Sequence, residues 1–487
     1  MSKDPEGTNS EKQANVLHKQ QSNATLVEPT PEEEKRVIRK LDKRILPLVF
    51  VLYSVAVLDR SNLGNAKLAG LAEDVDLGGG RYAMLGTIFY IAYIVSQWTL
   101  IGWKQFKPHQ FCAFTVLFWG FVASIQAAAF NWEGLMACRF FLGVAEAMFG
   151  PGIPLYLTFF YPRELVGFRH GVFVSGAAMA NAYGGALAYG ISQIKGSIAP
   201  WKTLFLIEGL PTICMAGIAW FYLPDSISTA KFLNDREKQV ALCFVARNQR
   251  VDIGSERGVR FKELFEAFKD PKSFLPAICY FGCNVSFASL PLFLPTIISD
   301  IGTFTRIQSN GLSAPPYIFC FFVILTLCFL SDRYKMRGPF IALAAFVAAI
   351  GFIINATATA TGPRYFSTFL SVCIFASVAL LLSWTANLHS TESKRGGGYA
   401  ILYTIGQAGP FLGTNIFPPA DEPHFRRGLW VSASMCLMVG VVAAILSLWI
   451  IHDNRKLAKE GVPDDQELED TSIGQDGGRQ QRQRTIW

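Results

Sequence analysis

Continuous apolar runs of about 20 residues, separated by short polar segments, fill most of the chain between two polar ends. A mostly apolar helix of about that length spans the hydrocarbon core of a bilayer. The runs are unbroken and do not alternate residue by residue, which disfavours a transmembrane β-barrel. The pattern therefore predicts an all-α membrane protein with twelve transmembrane helices, called spans one to twelve. Their predicted ranges are 45–66, 82–103, 111–130, 134–160, 170–190, 202–223, 273–299, 312–331, 339–361, 366–388, 398–418 and 429–451.

The twelve spans fall into two sets of six on either side of a charged segment. The predicted organisation is an N-terminal tail at 1–44, a six-helix bundle at 45–223, a central loop at 224–271, a second six-helix bundle at 272–451 and a C-terminal tail at 452–487. Within the central loop, "RFKELFEAFKD" has helical apolar spacing and predicts a short amphipathic helix at the membrane surface. Two bundles around a central site are typical of transporters that work by alternating access.

The composition supports a membrane protein and excludes several other classes. Hydrophobic residues make up 51% of the 487 residues and charged residues 17%, whereas soluble proteins carry about 25% charged residues. The net charge of +7 is not gathered into a basic stripe, so no nucleic-acid partner is expected. Most of the ten cysteines stand singly inside apolar runs and predict packing, with no metal-ligand spacing. No enzyme-like constellation appears. We expect a non-enzymatic monomer in the lipid bilayer, without a cofactor or a metal.

Lysine and arginine are concentrated in the segments that one orientation places inside the cell. They cluster before span one and in the loops after spans two, four, eight and ten. Because cytoplasmic loops carry an excess of these residues, both termini are predicted to be cytoplasmic. Arg426 and Arg427 are exceptions, since this topology places them outside. The first apolar run begins at Ile45, with no cleavable signal peptide before it.

Four charged residues interrupt the apolar spans. Asp59 and Arg60 lie in span one, and Arg139 and Glu146 lie two turns apart on one face of span four. Charges at this depth are costly and usually mark a functional cavity or an ion pair. Arg60 offers a planar fork that matches a carboxylate, which predicts a substrate-binding role. Asp59, Glu146 and Arg139 are predicted to couple transport to protons, the alternative being purely structural ion pairs.

Neutral polar residues in other spans are candidates for substrate hydrogen bonds. Tyr90 and Tyr93 lie in span two, Asn284 in span seven, Asn387 in span ten and Gln407 in span eleven beside Gly409 and Pro410. Each is predicted to bind substrate, and each has helix–helix packing or hydrogen bonding as its alternative.

A charged loop after span eight, "SDRYKMRG", is the candidate gate. Asp332, Arg333 and Arg337 are predicted to latch helix ends together in one conformation of the transport cycle. The corresponding loop after span two, "GWKQFKPHQ", lacks the acidic residue. The latch is therefore expected on one side of the pseudo-symmetric molecule only. The "GPGIP" segment of span four and the "QAGPFLG" segment of span eleven are expected to bend their helices.

Several of these motifs together resemble a known family. The six-plus-six plan, "SDRYKMRG" and the bent span four are similar to the major facilitator superfamily. "LDRSNLGNA", "RFFLGVAEAMFGPG", "WKTLFLIEGLP" and "LPDSISTAKFLNDREKQVA" resemble its anion:cation symporter family, and most of all the fungal allantoate-permease-type branch. The resemblance covers about residues 35 to 455. Where relatives have an arginine or lysine followed by tryptophan, this chain has Lys202 and Thr203.

The resemblance implies the major facilitator fold and proton-coupled uptake of a small organic anion at the plasma membrane. It assigns roles in coupling and substrate binding to Asp59, Arg60, Arg139 and Glu146, and makes Tyr93 the counterpart of a span-two tyrosine. The proton gradient would supply the energy. Nicotinate, pantothenate and allantoate-like compounds are all candidate substrates. The alternative is an exporter of metabolites or drugs that uses the same fold as an antiporter, and a non-transporting sensor is a more distant one.

Overall fold

A computed structural model describes residues 29–78, 80–162, 164–192, 198–248, 267–302, 306–389, 392–418, 421 and 424–460. Most of the two polar tails lies outside these residues. So does the amphipathic helix predicted in the central loop, apart from its last few residues. The described residues contain helices and no strand, which confirms the predicted all-α fold.

Helices occur at all twelve predicted spans. Spans one to six comprise Pro31–Ala66, Arg81–Gln105, Pro108–Ile125, Trp132–Leu157, Val166–Ser192 and Pro200–Tyr222. Spans seven to twelve comprise Pro271–Ile301, Arg306–Tyr334, Gly338–Thr357, Thr361–Leu388, Glu392–Asn415 and Arg426–Lys459. Nine of them are long and apolar enough, within the described residues, to cross a membrane. Spans one, five and eleven are the other three, and spans one and five carry buried charged or polar side chains among their apolar residues.

Span one is longer than the hydrophobic pattern indicates, because it begins at Pro31 instead of residue 45. Thr30 and Glu33 form a capping box, in which each side chain binds the other residue's backbone amide. Val37 and Leu41 then continue the buried face of the helix into the polar segment. Part of the predicted N-terminal tail is therefore an extension of the first helix.

The central loop contains a helix, Asp235–Asn248, that the charged sequence did not lead us to expect. Its apolar face is buried, and its polar face pairs with the extension of span one. Lys40 Nζ lies 2.5 Å from Glu237 Oε1, and Arg236 Nη2 lies 3.1 Å from Glu33 Oε2. The amphipathic pattern of this helix thus serves packing against span one.

The first six spans pack as one bundle and the last six as another. Span three packs on span six, span one on span five and span two on span four. Span nine packs on span twelve, and span seven on spans ten, eleven and twelve. The bundles meet through span five against spans eight and ten, and through span two against span eleven. A Cβ on Gly171 would lie 2.8 Å from the Cβ and Sγ of Cys328, so spans five and eight approach very closely there.

Spans four and eleven are both broken at the predicted Gly-Pro segments. In span four the helix stops at Phe149 and resumes at Gly152, and in span eleven it stops at Gly406 and resumes at Gly409. Trp103 of span two fills the break in span four, where its indole Nε1 donates a 2.7 Å hydrogen bond to the carbonyl of Met148. A side chain at Gly152 would overlap that indole. The bend is therefore locked by a neighbouring helix.

Candidate functional site

A cavity lies between the two bundles, and about 440 Å³ of space not filled by atoms lies in and around it, open solvent included. Seven of the spans contribute to its wall. The lining residues are Tyr53, Arg60, Tyr90, Tyr93, Gly150, Phe173, Tyr280, Asn284, Phe287, Ala288, Val378, Leu382, Tyr403, Gln407 and Pro410. Arg60 is the one charged residue among them. The cavity thus combines a single cation with tyrosines, two phenylalanines and two carboxamides.

Arg60 is held at the cavity wall by Glu146 from span four. Glu146 Oε2 accepts hydrogen bonds from Arg60 Nη2 at 2.6 Å and from Nε at 3.1 Å. The Glu146 side chain is 1% exposed, whereas that of Arg60 is 17% exposed. The guanidinium also lies over the rings of Phe89 and Tyr93, with its carbon 5.3 and 5.5 Å from their centroids. The carboxylate is buried behind the cation, and the cation faces the cavity.

Asp59 is adjacent to Arg60 in sequence but points into the interior of the first bundle. Its Oδ2 accepts a 2.8 Å hydrogen bond from Trp119 Nε1 and a 3.3 Å bond from Thr212 Oγ1. Successive residues on an α-helix point about 100° apart, which explains the separation. Asp59 is 2% exposed and does not line the cavity.

Arg139 is buried in the same interior. It is 2% exposed, and its Nε and Nη2 make no hydrogen bond to any described residue. Arg139 does not pair with Glu146 along span four, because Glu146 binds Arg60 instead, and no ion pair of Arg139 occurs within the described part of the chain. Both remain on one face of span four.

Sequence reasoning missed Glu208 of span six. This residue is 3% exposed, and neither carboxylate oxygen has a hydrogen-bond partner among the described residues. It lies within electrostatic range of Asp59 and Arg139. The signal was present in "LFLIEGLP", where one glutamate interrupts an apolar run, but nothing in the sequence showed which charges it would meet.

The second bundle supplies neutral groups to the cavity. Asn284 Nδ2 donates a 3.0 Å hydrogen bond to the carbonyl of Gly406, at the break in span eleven. Tyr280 and Tyr403 pack edge to face with centroids 5.4 Å apart. Of the predicted substrate-binding residues, the structure brings together Arg60, Tyr90, Tyr93, Asn284 and Gln407.

Asn387 stands apart from that group. It is buried near the end of span ten, does not line the cavity, and its side-chain atoms have no hydrogen-bond partner among the described residues. The aromatic lining residues Tyr53, Phe173, Phe287 and Tyr403 were not singled out as binding residues, since aromatics in apolar spans look like ordinary packing.

The predicted latch lies where the loop between spans four and five meets the loop between spans eight and nine. We call this end of the molecule the terminal face, because span one begins and span twelve ends there. Asp332 Oδ2 accepts a 2.6 Å hydrogen bond from the backbone amide of Phe168, and Oδ1 pairs with Arg337. A Cβ on Gly167 would overlap both of these side chains. The latch therefore joins the two bundles directly.

The composition of the latch differs from the prediction in one residue. Arg333 is exposed and has no ion pair with a described residue, whereas Lys335 bonds to Glu164 Oε1 at 3.0 Å. Lys335 has a φ of 54°, in the left-handed region, which turns its side chain toward the first bundle. Arg337 is fully buried and also donates to Ser331 Oγ at 3.0 Å.

His170 of span five forms a further contact between the bundles. Its Nδ1 lies 3.0 Å from Ser383 Oγ of span ten, and its Nε2 lies 3.1 Å from the carbonyl of Pro154. The ring is fully buried. Together with the latch, it holds the terminal face closed in this structure.

Comparisons with known proteins agree with this architecture. The pattern of the Major Facilitator Superfamily matches residues 49–414. The chain is 33% identical over 429 residues to the uncharacterized transporter C1039.04 of Schizosaccharomyces pombe, covering 87% of this chain and 84% of that protein. It is 30% identical over 410 residues to the high-affinity nicotinic acid transporter of Saccharomyces cerevisiae, covering 83% and 76%.

A solved structure of the proton:xylose symporter XylE, bound to 6-bromo-6-deoxy-D-glucose, has the same fold. It superposes with a TM-score of 0.61 at 13% identity, and the match covers 84% of this chain and 96% of XylE. The chain is a multi-pass membrane protein, and the relatives it resembles along most of their length are named transporters. The chain therefore belongs to the Major Facilitator Superfamily.

Proposed function

We propose that the protein imports a small organic anion together with protons, by alternating access, across the plasma membrane. Within the superfamily we place it in the anion:cation symporter family, in the fungal allantoate-permease-type branch. The observation that carries the proposal is the Arg60–Glu146 pair, in which a cavity-facing guanidinium is held by a buried carboxylate. A single cation among described lining residues that are otherwise neutral is suited to one substrate anion.

The pair provides a simple means of coupling. A substrate carboxylate and the Glu146 carboxylate compete for the same Arg60 fork. When Glu146 takes up a proton it loses its charge and its hold on Arg60, which is then free to bind the substrate anion. When the substrate leaves, Glu146 gives up its proton and binds Arg60 again. Each turnover then carries the anion and a proton in the same direction.

The cavity wall favours a small, planar, aromatic or unsaturated carboxylate such as nicotinate. Five tyrosines and two phenylalanines line it, and such rings stack on planar substrates. Asn284 and Gln407 add hydrogen-bonding groups for a ring nitrogen or amide. The similarity to a nicotinic acid transporter agrees with this choice. Pantothenate and allantoate-like compounds, which are flexible or richer in amides, would stack on fewer of these aromatic rings.

The terminal face is proposed to be cytoplasmic, so that both termini lie inside the cell. The loops on this face carry more Lys and Arg than the opposite loops. The Asp332–Arg337 latch and the Lys335–Glu164 bond then close the cytoplasmic side. Release of these contacts would open the cavity to the cell interior.

Uptake of labelled nicotinate, pantothenate and allantoate into cells expressing the chain tests the proposal. We expect nicotinate uptake that rises when the outside pH is lowered and disappears in Arg60→Ala at normal surface abundance. Uptake independent of pH, or unaffected by the substitution, would contradict the coupling. Lower retention of a preloaded anion in expressing cells would instead establish export.

A further inference from the structure

The interior of the first bundle contains a second charge cluster, separate from the cavity. Glu208 of span six, Asp59 of span one and Arg139 of span four lie within electrostatic range of one another. None of the three lines the cavity, and each is at most 3% exposed. Glu146, which holds Arg60 at the cavity wall, lies within electrostatic range of Asp59 and Arg139.

The three residues do not satisfy one another's hydrogen-bonding groups. Both oxygens of Glu208, and Nε and Nη2 of Arg139, have no partner among the described residues. Asn62, one turn beyond Asp59 on the same face of span one, is also buried with both side-chain atoms unpartnered. Buried polar groups in native proteins are normally paired. Such a concentration of unpaired groups is typical of a functional site and unusual for a structural one.

The charges of the cluster do not balance. Two carboxylates and one guanidinium carry a net charge of −1 when both acids are ionised. Tyr183 of span five also faces Glu208 and Asp59 and is uncharged. A net charge buried in a membrane protein is strongly unfavourable. One bound proton makes the cluster neutral.

Asp59 is the less available of the two acids for this proton. Its Oδ2 already accepts a 2.8 Å hydrogen bond from Trp119, which stabilises the ionised form. Glu208 has no such donors. We propose that Glu208 is a second proton carrier, which binds and releases one proton in each transport cycle while Asp59 and Arg139 keep their charges. The proposal rests on the proton-coupled transport proposed above.

The proton step is simple and involves no electron transfer. A proton from the solution on the side opposite the terminal face forms an O–H bond with one carboxylate oxygen of Glu208. The same bond breaks when the terminal face opens, and the proton passes to the solution there. Because Arg139 and Glu146 share one face of span four, the cluster and the substrate pair can respond to the same movement of that helix.

Infrared difference spectroscopy of the purified full-length chain tests the proposal without a substrate. Spectra at acidic and neutral pH report the C=O stretch of carboxyl groups that gain a proton. We expect Glu208→Gln to remove one component of this band. The matched control, Glu133→Gln, alters an exposed glutamate at the start of span four and should keep that component. An unchanged spectrum in Glu208→Gln would overturn the proposal.

A second variant keeps the proposal testable if Glu208→Gln does not fold. If Glu208→Gln does not reach the membrane, Glu208→Asp keeps an ionisable group at the same place and should displace the band in frequency. A band identical to that of the unmodified chain would again overturn the proposal.

Transport of nicotinate in proteoliposomes then assigns the function of the proton. In Glu208→Gln, the rate of uphill, proton-driven uptake is expected to fall at least about tenfold, whereas nicotinate exchange continues. Loss of both activities in a folded variant would contradict a carrier role for Glu208. If the unmodified chain does not transport nicotinate, the choice of substrate in the proposed function is wrong, while the spectra still decide the role of Glu208.

Discussion

The two bundles share one architecture but have different chemistry. The first buries Asp59, Arg139, Glu146 and Glu208 within its helices and places the partly exposed Arg60 at the cavity wall. The second lines the cavity with tyrosines, Asn284 and Gln407, and its buried arginines lie near the ends of its helices. A charged side chain inside the membrane is energetically costly, so a charge that is found there usually has a function. In keeping with the proposed function, we assign charge and proton handling to the first bundle and the shape of the substrate site to the second.

Arg60→Ala is the strongest test of this functional difference between the two bundles. It removes the cavity's cation and leaves Glu146 buried without its partner, at a cost of about 3–5 kcal/mol for a broken buried pair. We expect anion uptake to fall by at least about 100-fold, measured with labelled nicotinate at acidic pH. Arg426→Ala, at an exposed position at the start of span twelve and away from the cavity, is the matched control and should transport normally. Normal uptake in Arg60→Ala would remove the first bundle's role in anion binding.

Glu146→Gln should separate coupling from binding. The amide cannot exchange a proton, and it holds Arg60 less firmly than the carboxylate does. We expect concentrative uptake to fall about tenfold or more and its dependence on outside pH to weaken to the contribution of Glu208, whereas exchange of labelled for unlabelled substrate continues. Uphill uptake with an unchanged pH dependence would show that Glu146 carries no proton.

Gly167→Ala should disturb the contact between the two bundles. The added Cβ overlaps Asp332 and Arg337, so the latch cannot close as it does here. We expect the maximal rate of uptake to fall about three- to tenfold with little change in KM, because closure and not binding is impaired. Gly217→Ala in span six, where a Cβ meets no atom within 4 Å, is the matched control. A changed KM with an unchanged maximal rate would argue against a gating role.

Gln407→Ala examines the second bundle and should have a smaller effect. One neutral hydrogen bond contributes about 1 kcal/mol, which corresponds to a KM raised about fivefold. Asn387→Ala, outside the cavity, should leave KM unchanged. Concentration series of nicotinate uptake measure both values. A larger effect at Asn387 than at Gln407 would place the substrate deeper in span ten than the cavity does.

Glu33→Gln should have the smallest effect on the pH profile. Hydrogen bonds from Arg236 and from the Thr30 backbone amide lower the pKa of Glu33 to about 2. A carboxylate with a lowered pKa loses its stabilising interaction only as the pH falls toward that value. Glu33 therefore stays ionised from neutral to mildly acidic pH, and the pH dependence of uptake should be the same with and without it. A shifted profile would mean that the contact between span one and the Asp235–Asn248 helix takes part in coupling.

The sequence predicted most of the fold because long apolar runs leave few alternatives in a membrane. It also singled out Arg60 and Glu146, which the structure pairs at the cavity wall, since charges stand out in apolar helices. It could not show that adjacent Asp59 and Arg60 point to different places, which depends on the rotation of span one against its neighbours. The helices in polar parts of the sequence, which are the start of span one and Asp235–Asn248, were not predicted because their apolar faces are narrow.

The residues that the sequence missed or misplaced have a common cause. Glu208 carries a lone charge whose partners come from spans distant in sequence. Asn387 lies near the end of span ten, outside the lining of the cavity. In the latch, Lys335 takes the place expected for Arg333 because of its left-handed backbone. In each case the outcome depends on where the side chain points in the folded protein, which residue type and spacing do not determine.

The close approach of Gly171 to Cys328 gives the protein a built-in probe of its own motion. The Cys328 thiol is fully covered in this structure, by a helix that belongs to the other bundle. Separation of spans five and eight would expose it to water. The rate at which a soluble maleimide labels this native cysteine therefore reports how often the terminal face opens, and an anion that promotes turnover should change that rate without any engineered label.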